Sequence, residues 1–334
     1  MKAMSMDMEH GGRTVASVAI VALTTLMTAT TSVAQGFPTK PFRLIVSFVP
    51  GGPTDIVARV VSGKMAESLG QPIVVENRGG AGGTIGADVV AKSPGDGYTL
   101  LLGTISTLGL APSVYTNLPY EPMKAFAPVS LLTHAYFVIG ANHQSVPGTL
   151  RELIAQAKAA PEKFNYASNG AGNITHVAGE LFNNLAGIKM VHIPYKGSAP
   201  AAVDVAAGRA HLQFDVLATF QQHIAAGNLK ALAVAGPKRD PRLPNVPTTA
   251  EAGMSGFVLS AWFGLVATAG SPQPVIRRLN AEVQKSLAAA DVRDAILKLG
   301  LDPAGGTADQ FAAQIAYEND RWPAIVRAAG IKLD

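Results

Sequence analysis

Four short stretches of the 334-residue chain combine glycine with small hydroxyl residues: PGGPTD at 50–55, GTIST at 103–107, SNGAGNITH at 168–176 and YKGSAP at 195–200. Loops of this composition present backbone N–H groups and hydroxyls. Where they open a helix, the terminus adds about half a positive charge. Several such loops meeting at one point would recognise a carboxylate without an arginine, whereas each alone reads as an ordinary turn. In the first, Gly51 and Gly52 allow positive φ or a close backbone approach, and Pro53 suits a first helical turn. Asp55 in that turn is either a cap and dipole partner or a ligand contact.

Other residues carry two readings each. Asp215 ends a strand, where it would accept from a ligand hydroxyl or amine, or cap a helix. His176 follows the glycine-rich loop and is either a half-buried histidine bonded to that loop or a ligand contact. Lys196 would pair with an anion or stay solvated, and Phe48 and Tyr195 would wall a cleft or join the core.

Enzymatic patterns are weak. GAGGTIG at 80–86 follows a strand and opens a helix with the spacing of short-chain dehydrogenases, and Tyr120 with Lys124 matches YxxxK. Pro119 and Pro122 oppose the helix that this pair requires, and the glycine loop follows the second strand rather than the first. The chain has no GxSxG, no HExxH and no cysteine, and its histidines are scattered, so no cofactor, metal or thiol chemistry is expected.

The elements that would position these loops alternate along the chain. FRLIVSF, a helix to Leu69, PIVVEN, the helix IGADVVAKS and YTLLLGT form a βαβαβ run, which predicts a parallel sheet with helices on both faces. From Phe164 the order repeats: FNYASN, THVAGELFNNLA, MVHIPY, AAVDVAAG and HLQFDV, with RGGAGG at 78–83 answering to YKGSAP. The expectation is two α/β lobes, 36–135 plus 262–334 and 136–261. The long apolar segments FAPVSLLTHAYFVIGAN and LSAWFGLVATAGSP would cross between them. Ligands of open α/β sheets sit beyond the carboxyl ends of the strands, so the site would be the cleft between the lobes.

With 48% hydrophobic and 15% charged residues, the chain reads as globular. Its net charge of +4 is scattered, and the densest basic group, PKRDPR at 237–242, lies in a proline-rich loop, which argues against nucleic acid. Lys2 and Arg13 precede the uncharged stretch TVASVAIVALTTLMTATTSVA, ending in Ser32-Val33-Ala34. This reads as a signal peptide over 1–34, with a retained anchor as the alternative, and places the mature protein in the periplasm.

In this order, FPTKPFRLIVSFVPGGPTDIVAR, GQPIVVENRGGAGGTIGADVVAKSPGDGYTLLLGT, YASNGAGNITHVAGELF, HIPYKGSAPA and NVPTTAEAGM with AWFGLVA resemble the Bug (TctC-like) periplasmic solute-binding proteins, receptors of tripartite tricarboxylate transporters. The resemblance spans essentially the whole mature chain. It implies a non-catalytic, monomeric, two-lobed Venus-flytrap protein that closes on a small carboxylate (di- or tricarboxylate, acidic amino acid or aromatic acid) and delivers it to membrane components. A sensor subunit docking on a signalling partner is the alternative. Carried over by position, the ligand-facing candidates are Phe48, Gly51, Gly52, Thr54 and Asp55; Thr104 and Ser106; Ser168, Gly170, Gly172 and His176; Tyr195, Lys196 and Gly197; and Asp215. The chain departs from the family pattern at Pro53 and in VIGANHQSVP.

Overall fold

The structure, a computed structural model, describes residues 36–331; the expected signal peptide lies outside the described residues. The first half is built on β1 (Phe42–Val46), α1 (Pro53–Leu69), β2 (Ile73–Asn77), α2 (Thr84–Ala91) and β3 (Thr99–Thr104). β1 pairs parallel to both β2 and β3. β3, TLLLGT, is buried at all six positions, as expected of a central strand covered on both faces.

After β3 the chain makes a π-helical turn over Ile105–Leu110 and two four-residue helices, α3 (Ala111–Val114) and α4 (Pro122–Ala125). Pro122 is the first residue of α4, a position where its missing N–H costs nothing. Tyr120 precedes α4 and donates its hydroxyl to the Thr107 carbonyl at 2.9 Å, while Lys124 pairs with Glu121 at 2.8 Å. The two residues of the YxxxK match therefore share no helix.

The strand β4 (Phe126–Asn142) coincides with the first long apolar segment and is followed by α5 (Leu150–Ala159). The second half then repeats the first: β5 (Asn165–Ser168), α6 (Ile174–Ala186), β6 (Val191–Pro194), α7 (Ser198–Ala206) and β7 (Leu212–Val216). β5 lies parallel between β6 and β7, as β1 does between β2 and β3. α8 (Leu217–Ala225), β8 (Leu229–Val234) and β9 (Ser260–Thr268) complete this part.

Strand β4 joins the halves by changing partners. Phe126–Tyr136 pairs antiparallel with β9, which also pairs with β3, and the remainder pairs with β7 and β8. The switch falls at Phe137, whose N–H donates to Leu259 O and whose carbonyl accepts from Ala235 N. The sheet order is β2-β1-β3-β9-β4-β7-β5-β6, with a short β10 (Asp302–Pro303) also on β4. The parallel strands expected from the βαβ pattern are present in each half, and antiparallel β4 and β9 make the whole a mixed, two-lobed α/β arrangement. Of the last helices, α9 (Gln273–Ala288) and α10 (Ala290–Lys298) pack on α1, and α11 (Ala308–Ala328) packs on β4 and the π-helical turn.

Candidate functional site

Repetition of the βαβαβ unit brings the carboxyl ends of β1, β3, β5, β6 and β7 to one place. The residues that follow four of these strands line a single small cavity of about 30 Å³. Four helical N-termini meet on it, beginning at Pro53, Ile105, Ile174 and Ser198. Each terminus brings positive dipole charge to the cavity, although at α6 the first N–H groups are already committed, Ile174 N to Ser106 and Thr175 N and His176 N to Asn173. Among the described residues no arginine, lysine or histidine lines it, and Asp215 is its one carboxylate.

Local sequence explains each terminus. Gly51 adopts φ +88°, which a side chain would resist, and turns the chain out of β1 into α1. The turn is held from behind: Asp55 accepts from Gly51 N at 3.1 Å and from Asn77 Nδ2 at 3.0 Å, and pairs with Arg59 at 2.9 Å. Burial pushes the Asp55 carboxyl up, but the bonds from Arg59, Gly51 and Asn77 outweigh it and hold it below the usual carboxylate range. Thr104 and Thr107 form a reciprocal capping box on the π-helical turn. Asn173 caps α6 by accepting from Thr175 N at 3.0 Å.

Across the cavity, Ile174 N donates to Ser106 Oγ at 3.1 Å, tying the β3 loop to the start of α6. At the end of β7, Asp215 accepts four hydrogen bonds from the protein. Oδ2 takes Ser198 Oγ at 2.7 Å, Asn169 Nδ2 at 3.0 Å and Gln213 Nε2 at 3.2 Å, and Oδ1 takes Val216 N at 2.8 Å. Burial raises its pKa against the lowering effect of these bonds.

Of the residues singled out in the sequence, Phe48, Gly52, Thr54, Thr104, Ser106 and Asp215 line the cavity. Gly51 lines a neighbouring pocket of about 400 Å³, which shares Gly52, Pro53 and Ser198 with it. The others do not line the cavity. Ser168 Oγ lies 2.6 Å from His192 Nε2, and the His176 and His192 rings stack at 3.9 Å. Gly170, Gly172 and Gly197 shape the loops at φ +135°, +74° and +147°. Tyr195 donates to Asp204 at 2.8 Å, and Lys196 is exposed with no ion pair among the described residues.

The cavity also takes in residues that the sequence reading passed over. Asn169, Asn173 and Thr175 belong to SNGAGNITH and Ser198 to YKGSAP, loops that composition marks without showing which side chain turns inward. Phe137 and Phe263 come from the crossing strands β4 and β9. Their signal in the sequence is the apolar character of the two crossing segments.

The family model described as the tripartite tricarboxylate transporter family receptor matches residues 57–331. The protein BugT of Bordetella pertussis is 40% identical over 301 residues, 90% of this chain and 92% of BugT. Among solved structures, MatC from Rhodopseudomonas palustris with bound malate is 35% identical with a TM-score of 0.84, covering 87% of this chain and all of MatC. The periplasmic binding protein BugD is also 35% identical, with a TM-score of 0.85 over 89% of this chain and all of BugD. The fold is that of the periplasmic binding proteins.

Proposed function

This chain belongs to the tripartite tricarboxylate transporter receptor family, and on that premise we propose that it is a periplasmic receptor that binds a small carboxylate and delivers it to the membrane components of such a transporter. The observation that carries the proposal is the meeting of four helix N-termini on one cavity that no cationic side chain lines among the described residues. That arrangement offers hydrogen-bond donors and partial positive charge to an anion. MatC, with bound malate, supports the same ligand class.

A cavity of about 30 Å³ has room for roughly two water molecules. Admitting a whole di-acid therefore requires the walls to part, with 36–135 plus 262–334 moving against 136–261. The change of partners in β4 at Tyr136–Phe137 supports that division. The receptor works as a monomer, and the segment 1–34 directs it to the periplasm.

Thermal denaturation tests the proposal. With about 1 mM ligand and a Kd of about 1 μM, binding contributes roughly 4 kcal/mol. At about 2 to 4 °C per kcal/mol for domains of this size, the Tm should rise by on the order of 10 °C. Malate, citrate, glutamate, adipate, terephthalate and protocatechuate form the panel, with NADH and ATP beside them, on protein refolded to strip retained ligand. One dominant carboxylate and no nucleotide response is the expected result, and a shift with NADH alone would overturn it.

A further inference from the structure

Resting on the carboxylate-receptor reading, the inference concerns what kind of carboxylate the cavity accepts. Its walls carry an imbalance of donors over acceptors. Asn173 is 2% exposed and lines the cavity, and its Oδ1 is committed to Thr175 N at 3.0 Å and Thr175 Oγ1 at 3.1 Å. Those two bonds fix the carboxamide's orientation, so Nδ2 with its two hydrogens is the free end. It has no acceptor among the described residues. Ser106, 3% exposed, accepts from Ile174 N, which leaves its own hydroxyl hydrogen without an acceptor among the described residues. Thr54, at the start of α1, likewise has no hydrogen-bond partner for its hydroxyl among them.

The carboxylate and amide acceptors on the wall are already engaged. Asp215 takes four donors, Asn169 Oδ1 takes Gln213 Nε2 at 3.2 Å, and Asn173 Oδ1 takes two. Every carboxylate and amide side-chain oxygen on the wall therefore already accepts from the protein. Ser198 Oγ is spent too, donating to Asp215 and accepting from Asn169 Nδ2 at 2.8 Å.

Buried donors left unmatched are costly, and a ligand donor brought against the Asn173 NH2 finds no acceptor there. We infer that the Asn173 carboxamide and the Ser106 hydroxyl are direct donors to the ligand carboxylate, and that the cavity selects deprotonated, acceptor-only acids over acids bearing an α-ammonium group. An ammonium would face four positive helix ends, and Asp215, the one carboxylate on the described wall, already accepts from four protein donors. Phe48, Phe137 and Phe263 supply an apolar wall for the carbon skeleton.

Matched pairs that differ only by the ammonium group test this: succinate against aspartate, adipate against 2-aminoadipate, and 3-phenylpropionate against phenylalanine, titrated calorimetrically into the intact protein. The expected result is that the tightest-binding desamino acid exceeds its amino partner at least tenfold. Asn173→Asp is the companion variant. Aspartate caps a helix as well as asparagine does, so the unliganded Tm should hold, while the cavity-facing NH2 becomes an oxygen anion and affinity for the same acid should fall at least 100-fold. Equal binding within the pairs, preference for an amino acid, or an Asn173→Asp protein that keeps parental affinity would overturn the inference and leave the carboxylate-receptor reading standing. Silence from both members of every pair would instead contradict that reading and the inference with it.

Discussion

The imidazole rings of His176 and His192 are stacked with centroids 3.9 Å apart and planes 14° from parallel. His192 also stacks on Tyr166 at 5.0 Å, and His176 Nδ1 accepts from Gly172 N at 3.3 Å, which requires that nitrogen to be unprotonated. The pair thus holds the loop between β5 and α6 from below.

Burial, reinforced by the neighbouring His176, pushes His192 down to about 3, and burial lowers His176 against the opposing pull of Glu180. Both folded-state pKa values lie below the unfolded value of about 6.5, so the unfolded chain takes up protons first as pH falls. Stability is full above about pH 6.5 and declines below it. Between pH 6.5 and 5 the loss from His192 should be about 1 to 2 kcal/mol, the lower figure allowing for solvent screening of a partly exposed ring. Carboxylates held low, such as Asp55, lose their contribution only below about pH 4. Urea unfolding at pH 7 and pH 5 checks this, and equal midpoints at the two pH values would refute it.

Asp215→Asn tests the network at the end of β7. An asparagine there turns an NH2 toward some of the donors from Ser198, Asn169, Gln213 and Val216 that the carboxylate now accepts. Leaving buried donors opposed should cost about 3 kcal/mol. Chemical denaturation should show a matching drop, and a loss under about 0.5 kcal/mol would mean the network re-pairs freely.

Gly52→Val separates binding from folding. Gly52 caps α1 at φ −84° and ψ 169°, which a valine adopts, and a Cβ there would sit 3.7 Å from Ser198 Cβ, an ordinary contact. The two γ-methyls would then fill the gap between the first turns of α1 and α7. The expected protein keeps its unliganded Tm within about 2 °C and loses its thermal response to carboxylate, since the substitution is unstrained and sits at the cavity mouth. A full response would place the ligand elsewhere.

The alternation of strands and helices was legible because central strands such as β3 are continuous apolar runs and the helices carry glycine or hydroxyl residues at their starts. Even β4 was readable as FAPVSLLTHAYFVIGAN. Its partner switch at Phe137 was not, since pairing is set by β9 and β7 from distant sequence. In the site, glycine and hydroxyl composition marked the loops, but not which side chain within a loop turns inward. Asn173 and His176 lie three residues apart in SNGAGNITH, and the start of α6 aims the first at the cavity and stacks the second on His192. Asp55 reads from sequence as either a cap and dipole partner or a ligand contact, and its carboxylate is engaged by Arg59 one helical turn on and by Asn77 on β2.

Calorimetric titration of the parent protein and of Ser106→Ala with the acid that gives the largest thermal shift tests the central claim most directly, that the cavity where four helix N-termini meet holds the carboxylate. Ser106 contributes one buried hydroxyl donor there, and a bond to a charged group is worth about 1.5 to 3 kcal/mol. The account predicts one ligand per chain with a Kd on the order of 1 μM for the parent, and a Kd about 10 to 100 times weaker for Ser106→Ala at unchanged stoichiometry. Identical affinities for the two proteins, or binding to the parent only at millimolar concentration, would contradict it.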